Sequence, residues 1–509
     1  MKILVLSLLR LGDFIQIVPI LEGLSARYPQ AQIDVFTHSP AKALQPMLHG
    51  VRRWWTLDRE ELQQGLGRAD VPLLTSFDVL REHLDSMNSA NYDLVINLTQ
   101  TRFSGWIMGY LEGRDKLGLT FSPGGQARFH SPWFRYLDQH AAASSADVFH
   151  YTDIFHLACG LKEIPRSWKF SVTARGETEV TALNLGSGER VACQVFTSDT
   201  KKTWGEDQWT ELLTGLRAER PEAEIYLLGA ANEEERLSRI QVRVPGVRKA
   251  ILSLEGVLSL LHRTDLLITG DTSIKHLANA TDTKVLELSL GPSDWRRTGI
   301  YRADNLILQS REECAPCAHS SPCSQASHLC SARISAVTVK DFAVAFLNSD
   351  WEGLRSLAEK HRSALQALRT RHTNMGFWFA YDLNGGECAL ERILERCAWK
   401  FILSGDLKRP LVELGSESVH LAEEVTRLFG NTAPIMPHLD FLEKELHAQE
   451  EKARCGLQSF TRQPLGFVGG APDLGRLRQM QASLEEQHRK LEIKSKLVRS
   501  LKSRLTEYI

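Results

Sequence analysis

No stretch of the 509-residue chain approaches twenty consecutive apolar residues, so nothing in it reads as a membrane span. The opening MKILVLSLLRLGDF is apolar for a few residues only before Arg10 and Asp13, too soon charged for a signal peptide. Charge of one sign is lacking too. Sixty-one Lys+Arg face 62 Asp+Glu, so no basic field argues for nucleic acid. There is no G-x-G-x-x-G, hence no dinucleotide fingerprint. There is also no D-x-D. A nucleotide-diphosphate enzyme without that carboxylate pair must neutralise its leaving group with Lys, hydroxyls and helix dipoles. A cytoplasmic protein of two to four domains is the expectation.

What is present is β/α alternation, twice. KILVLSL (2–8), QIDVFT (32–37) and DLVINLT (93–99) read as buried strands, with helical stretches such as DFIQIVPILEGLSARYP between and after them. The pattern restarts with RVACQVF (190–196), AEIYLLG (223–229), DLLITG and KVLELSLG (284–291), interleaved with helices. The joint is the polar, Gly-containing stretch 171–189. The expected fold is α/β: two Rossmann-like parallel-sheet domains, 1–175 and 176–340, facing across a cleft at the carboxyl ends of their strands. From about 341 strand-like runs give way to Leu, Glu, Lys and Arg, which predicts a helical extension over 341–457. A linker follows at 458–475, then an amphipathic helix or coiled coil over 476–509. Leu477, Leu484, Leu491, Val498 and Leu505 recur there every seven residues, a seam for a homo-oligomer or for packing on the chain itself.

Three strand-to-helix junctions carry the chemistry. In LLRLGDFIQ, Asp13 opens a helix and would face the cleft, as a general base must. In TSDTKKTWGEDQW (197–209), Thr197, Ser198 and Thr200 supply hydroxyls and Lys201 and Lys202 positive charge, a set suited to a diphosphate. In TGDTSIKHLANA (269–280) a strand runs into a helix N-terminus whose unpaired N–H groups suit an anion. Glu233 or Glu234, ending another strand of the same half, is placed to accept from ribose hydroxyls. In the first half, Gln100, Thr101 and Arg102 follow a strand and are candidate acceptor-binding residues, Arg102 for a phosphate.

In order and spacing, MKILVLSLLRLGDFIQIVPIL, TSDTKKTWGEDQW, LLGAANEEER, LSLEGVLSLL and GDTSIKHLANA resemble glycosyltransferase family 9, the ADP-heptose:lipopolysaccharide heptosyltransferases of GT-B fold. The resemblance covers about residues 1–340. It implies Asp13 as catalytic base. It places Thr197, Ser198, Lys202 and the N–H groups near Thr272 and Ser273 on the diphosphate, Glu233 on the ribose and Leu252 against the adenine. Asp271 would contact the sugar, with His276 close by. The implied reaction is inverting and needs no metal for catalysis. A heptose moves from ADP-heptose to a lipopolysaccharide core hydroxyl, with peripheral contact to the inner membrane. A protein acceptor (an autotransporter or flagellin) and a non-catalytic binding or assembly role are the alternatives. Two departures stand out: Ser273-Ile274-Lys275 where the family often has Gly, and Gly205 where it usually has Pro.

Cys314, Cys317, Cys323 and Cys330 are spaced C-x2-C-x5-C-x6-C, with His319 and His328 between them. Either a closed tetrathiolate metal site, zinc ahead of iron and structural in role, or four reduced thiols would account for them.

Overall fold

The computed structural model describes residues 1–58, 62, 74–140, 149–161, 166–325, 327–372 and 378–384, with short helical stretches between 403 and 503. The chain divides into two compact units, 1–372 with 376–384, and 373–375 with 385–509.

The first unit holds both sheets. Strands β1 (Lys2–Ser7), β2 (Gln32–His38), β3 (Val51–Leu57), β4 (Tyr92–Asn97) and β5 (Gly113–Leu117) form a parallel sheet in the order β3-β2-β1-β4-β5. In β1, Ile3, Leu4, Val5 and Leu6 are all fully buried, as a strand covered by helices on both faces requires. A hairpin of β6 (Leu119–Phe121) and β7 (Ala127–Phe129) follows.

The second sheet takes β8 (Arg190–Gln194), β9 (Glu224–Gly229), β10 (Val247–Ile251), β11 (Leu266–Thr269), β12 (Lys284–Ser289) and β13 (Leu306–Ser310) in the parallel order β10-β9-β8-β11-β12-β13. Each half is thus wound as the repeated alternation predicts. β13 lies within RADNLILQS, so the parallel set ends one strand later than KVLELSLG.

The region after 340 departs from expectation. Residues 347–372 carry leucines at helical spacing, yet the helix Trp351–Lys360 stops there and β14 (Leu365–His372) pairs antiparallel with β13. β15 (Trp378–Asp382) pairs antiparallel with β14. Leu365, Ala367 and Leu368 are fully buried beside β13, so sheet packing overrides helical propensity. The second α/β half therefore runs to Asp382, past the expected boundary at 340.

In the second unit the described residues are helical. Lys502 pairs with Asp440 at 2.5 Å and with Glu443 at 3.0 Å, so a stretch near 440–454 meets the C-terminal helix of the same chain. Ile493, Leu497 and Val498 are buried. The 458–475 linker and Leu477, Leu484 and Leu505 of the heptad seam lie outside the described residues.

The two halves of the first unit are bolted together through buried polar groups. The Asp153 carboxylate, on the helix Tyr151–Ala158, accepts from Tyr301 Oη at 2.5 Å and from the Trp378 N–H at 3.2 Å. His150 bonds the Gly299 carbonyl at 3.0 Å. His372 packs on Tyr301 with ring centroids 5.0 Å apart. Burial, reinforced by Arg166, pushes the His372 imidazole down to about 3.

A depressed histidine is neutral in the fold but protonates in the unfolded chain below its ordinary value near 6.5, so its stabilising contribution fades as pH falls through that value. Between pH 7 and 5 this one group accounts for about 2 kcal/mol of lost stability. The variant His372→Leu should lose correspondingly less over that interval, measured as the shift in urea midpoint against wild type.

Candidate active site

The first junction is set by close approach. The helix Leu11–Gln16 begins right after β1, and at Gly12 an added Cβ would stand 3.1 Å from His276 Cδ2 and 3.6 Å from Ser273 Cα. The two halves touch here, and Gly12 permits it. Asp13 is the third residue of that helix, and its Oδ2 accepts the Arg10 N–H at 3.0 Å. Burial pushes the Asp13 carboxyl up. The Arg10 N–H opposes this, Asp271 adds to it, and Lys202 pulls it back. Asp13 thus senses two groups of the opposite half, and a carboxylate raised towards neutrality is a better base.

Across from it, Lys202 Nζ lies 2.6 Å from Asp271 Oδ2. Asp271 Oδ1 is 2.7 Å from Lys275 Nζ and 3.6 Å from His276 Nε2. Lys275 Nζ is also 2.7 Å from Glu287 Oε1, and Glu287 Oε2 accepts the Ile300 N–H at 2.8 Å. Against the cost of burial, the ammonium of Lys275 and then His276 and Lys202 hold the Asp271 carboxyl well below the usual range. Burial, with Lys275 adding to it, pushes His276 down to about 4, so it is neutral at physiological pH.

The other donor-side candidates cluster at the carboxyl ends of four neighbouring strands. Thr197 and Ser198 follow β8, Glu233 follows β9, Leu252 follows β10, and Thr272 and Ser273 follow β11. Thr197 Oγ1 pairs with Thr203 Oγ1 at 2.9 Å and donates to the Asp199 carbonyl at 2.7 Å. Ser198 is exposed and Leu252 half-buried. One Glu233 oxygen accepts the Ala230 N–H at 2.9 Å. Thr272 is the N-cap of the helix Ser273–Leu277. Carboxyl ends of parallel strands are where such folds bind ligands.

The acceptor-side candidates follow β4, the strand next to β1. Gln100 is spent locally: its amide donates to the Asn97 carbonyl and accepts the Leu119 N–H at 3.1 Å. Thr101 caps the helix Arg102–Tyr110 through the Ser104 N–H at 3.2 Å. Only Arg102 is left exposed.

Sequence reasoning gave no role to Lys275 or Glu287, and none to Tyr151, Asp294 or Arg297. Tyr151 feels the charges of Asp294 and Asp13 and bonds Arg297 at 3.1 Å. Their only signal was a charge in a short helix (Lys275) and a Glu in an apolar strand, KVLELS (Glu287).

Lys201 also departs from expectation. Its ammonium binds the carbonyls of Ala318, His319 and Ser321 at 3.1, 2.9 and 2.7 Å, strapping the cysteine loop to the loop after β8. Cys317 N–H adds a bond to the Gly291 carbonyl at 3.1 Å. Cys314, Cys317, Cys323 and Cys330 line one small cavity with His328. Burial raises the Cys314 and Cys317 thiols, and the neighbouring cysteines add to it. Among the described residues no group of three or more His, Cys, Asp or Glu stands ready to hold a metal ion.

Two doubly wound parallel sheets, with Asp13, Lys202 and Asp271 at the carboxyl ends of their strands, have the GT-B architecture. The family model for "Glycosyltransferase family 9 (heptosyltransferase)" matches residues 80–327, within the α/β part of the chain. Lipopolysaccharide heptosyltransferase 1 of Escherichia coli (strain K12) is 22% identical over 332 residues, 62% of this chain and 95% of the relative. The fold matches the family 9 glycosyl transferase of Veillonella parvula DSM 2008 with a TM-score of 0.54, at 16% identity over 69% of this chain and 98% of that one. It matches E. coli ADP-heptose lps heptosyltransferase II with a TM-score of 0.50, at 18% identity over 69% and 99%. No helix among the described residues is long and apolar enough to cross a membrane.

The contact at Gly12 is testable. Gly12→Val forces the two halves apart where reacting groups must align to within about 1 Å. Initial transfer rates should drop at least about tenfold, with the melting temperature little changed.

Proposed function

We propose that the chain transfers a heptose from ADP-heptose to a lipopolysaccharide core hydroxyl by a single inverting displacement. Asp13 takes the proton of the acceptor hydroxyl. The hydroxyl oxygen bonds the anomeric carbon from one face as the bond to the diphosphate oxygen breaks on the other, its electron pair leaving with ADP. Lys202, Thr197, Ser198 and the N–H groups at Thr272 and Ser273 receive the developing charge. Glu233 holds the ribose, Leu252 lies against adenine, and Asp271 with His276 orients the sugar. One observation carries this reading: the helix that bears Asp13, in the first half, packs at Gly12 against His276 and Ser273 of the second, which brings Asp13 within the field of Lys202 and Asp271. A base and a leaving-group cation from opposite halves are what a displacement between two bound substrates needs. The relatives' names support the heptosyl donor and the lipopolysaccharide acceptor. Arg102 is the remaining candidate for an acceptor phosphate, and the site of action is cytoplasmic, peripheral to the inner membrane.

Asp13→Asn should cut transfer by about 10²–10⁴, the range of acid–base catalysis, with ADP affinity kept. Lys202→Ala should slow transfer by about 10²–10³ and weaken ADP binding. Release of ADP from ADP-heptose, with lipopolysaccharide core and purified protein acceptors compared side by side, measures both. More than a tenth of wild-type rate in Asp13→Asn would remove it as the base. EDTA should leave the rate unchanged.

By donor type and spacing the four thiols suit a metal, although among the described residues they are not gathered into a ready ligand set. They share one cavity, and thiolates that crowd together need a cation to ionise. When bound, a zinc or iron ion would serve structure, holding the 314–330 loop through Cys314, Cys317, Cys323 and Cys330. Elemental analysis of protein purified without chelator should give about one ion per chain. Cys317→Ser should lower stability more than donor affinity. Metal-free protein that is stable and active would leave four ordinary thiols.

A further inference from the structure

Lys275, in the short helix after β11, is fully buried. It stands 2.7 Å from Asp271 on one side and 2.7 Å from Glu287 on the other, and Glu287 is fully buried too. With Lys202, 2.6 Å beyond Asp271, four charges alternate in sign along one line: Lys202, Asp271, Lys275, Glu287. The Ile300 N–H closes the far end on Glu287 at 2.8 Å. The near end lies on the loop after β8, at the carboxyl edge of the sheet.

A role for this row in donor binding rests on the reading that Lys202 serves the donor diphosphate. A lysine that is the sole partner of a buried carboxylate cannot leave it freely, because withdrawal strands an uncompensated buried charge. Asp271 is not in that position. Its second oxygen keeps an ammonium whichever way Lys202 turns. Lys275 cannot follow Lys202 outward, since its side chain has no exposed surface and Glu287 anchors it.

We propose that Lys275 is the resident counter-ion of Asp271 and a positioning residue for the donor: it lets Lys202 exchange the Asp271 carboxylate for the diphosphate. Glu287 in turn fixes Lys275, so the sugar-facing carboxylate stays ionised and in place during the exchange.

The test measures ADP binding by titration calorimetry, with melting temperature alongside, in wild type, Lys202→Ala, Lys275→Met, the double variant Lys275→Met/Glu287→Gln and the triple variant that adds Lys202→Ala to it. The double variant removes a charge pair together, and the amide oxygen introduced by Glu287→Gln still accepts the Ile300 N–H. Its stability should therefore stay near wild type even if Lys275→Met alone folds poorly. The expected result is ADP binding at least about tenfold weaker in the stable double variant, with little further loss when Lys202→Ala is added, because the two changes act on one group. A stable double variant that binds ADP like wild type, while Lys202→Ala binds weakly, overturns the role of Lys275. Lys202→Ala binding ADP as tightly as wild type would instead overturn the donor-site reading beneath it.

Discussion

Asp271 is held between two ammonium groups, 2.6 Å from Lys202 and 2.7 Å from Lys275, at a point where almost no water reaches it. A carboxylate so placed is costly unless both oxygens are satisfied, and here they are. The rest of the site is arranged round that constraint. Lys202 must come from the loop after β8 and Lys275 from the helix after β11. Glu287 must come from the interior of β12, so three neighbouring strands are tied to one another at their carboxyl ends. Asp13 then meets this assembly from the other sheet, and its own proton affinity depends on the charge of Asp271. Asp13 and Lys202 are therefore electrically one system, although they belong to different halves.

The parts legible in the sequence are those in which one segment carries its whole message. Ile3–Leu6 and Leu266–Thr269 are apolar at nearly every position and are buried parallel strands. Asp13, Lys202 and Asp271 each sit where an apolar run breaks into a capped helix, so their place at strand ends follows from order alone. Lys275 was not legible, because a lysine in a short polar helix ordinarily reaches solvent, and only Glu287, twelve residues on, makes it a core residue. Gln100 shows the reverse. Its position after β4 suggested an open polar group, yet the neighbouring hairpin uses both ends of its amide. β14 was missed because its leucines continue the helical spacing of the preceding segment. What makes it a strand is the free edge of β13, and one-dimensional periodicity does not register an edge.

The adjacent lysines 201 and 202 divide their labour. Lys201 grips three carbonyls of the cysteine loop, while Lys202 pairs with the Asp271 carboxylate. The thiol cavity and the loop after β8 thus share one short stretch of backbone.

The two added strands also change what the chain beyond 340 is. β14 covers the edge of β13, and Trp378 on β15 bonds both the Ile300 carbonyl and, through its N–H, Asp153 of the opposite half. A protein ended at 340, the length at which its family pattern stops, would leave a row of unpaired N–H and C=O groups on a buried, largely apolar strand. Such an edge is a template for pairing with other chains. β14 and β15 are therefore no appendage: they give the backbone of β13 its partner and continue the sheet of the second half.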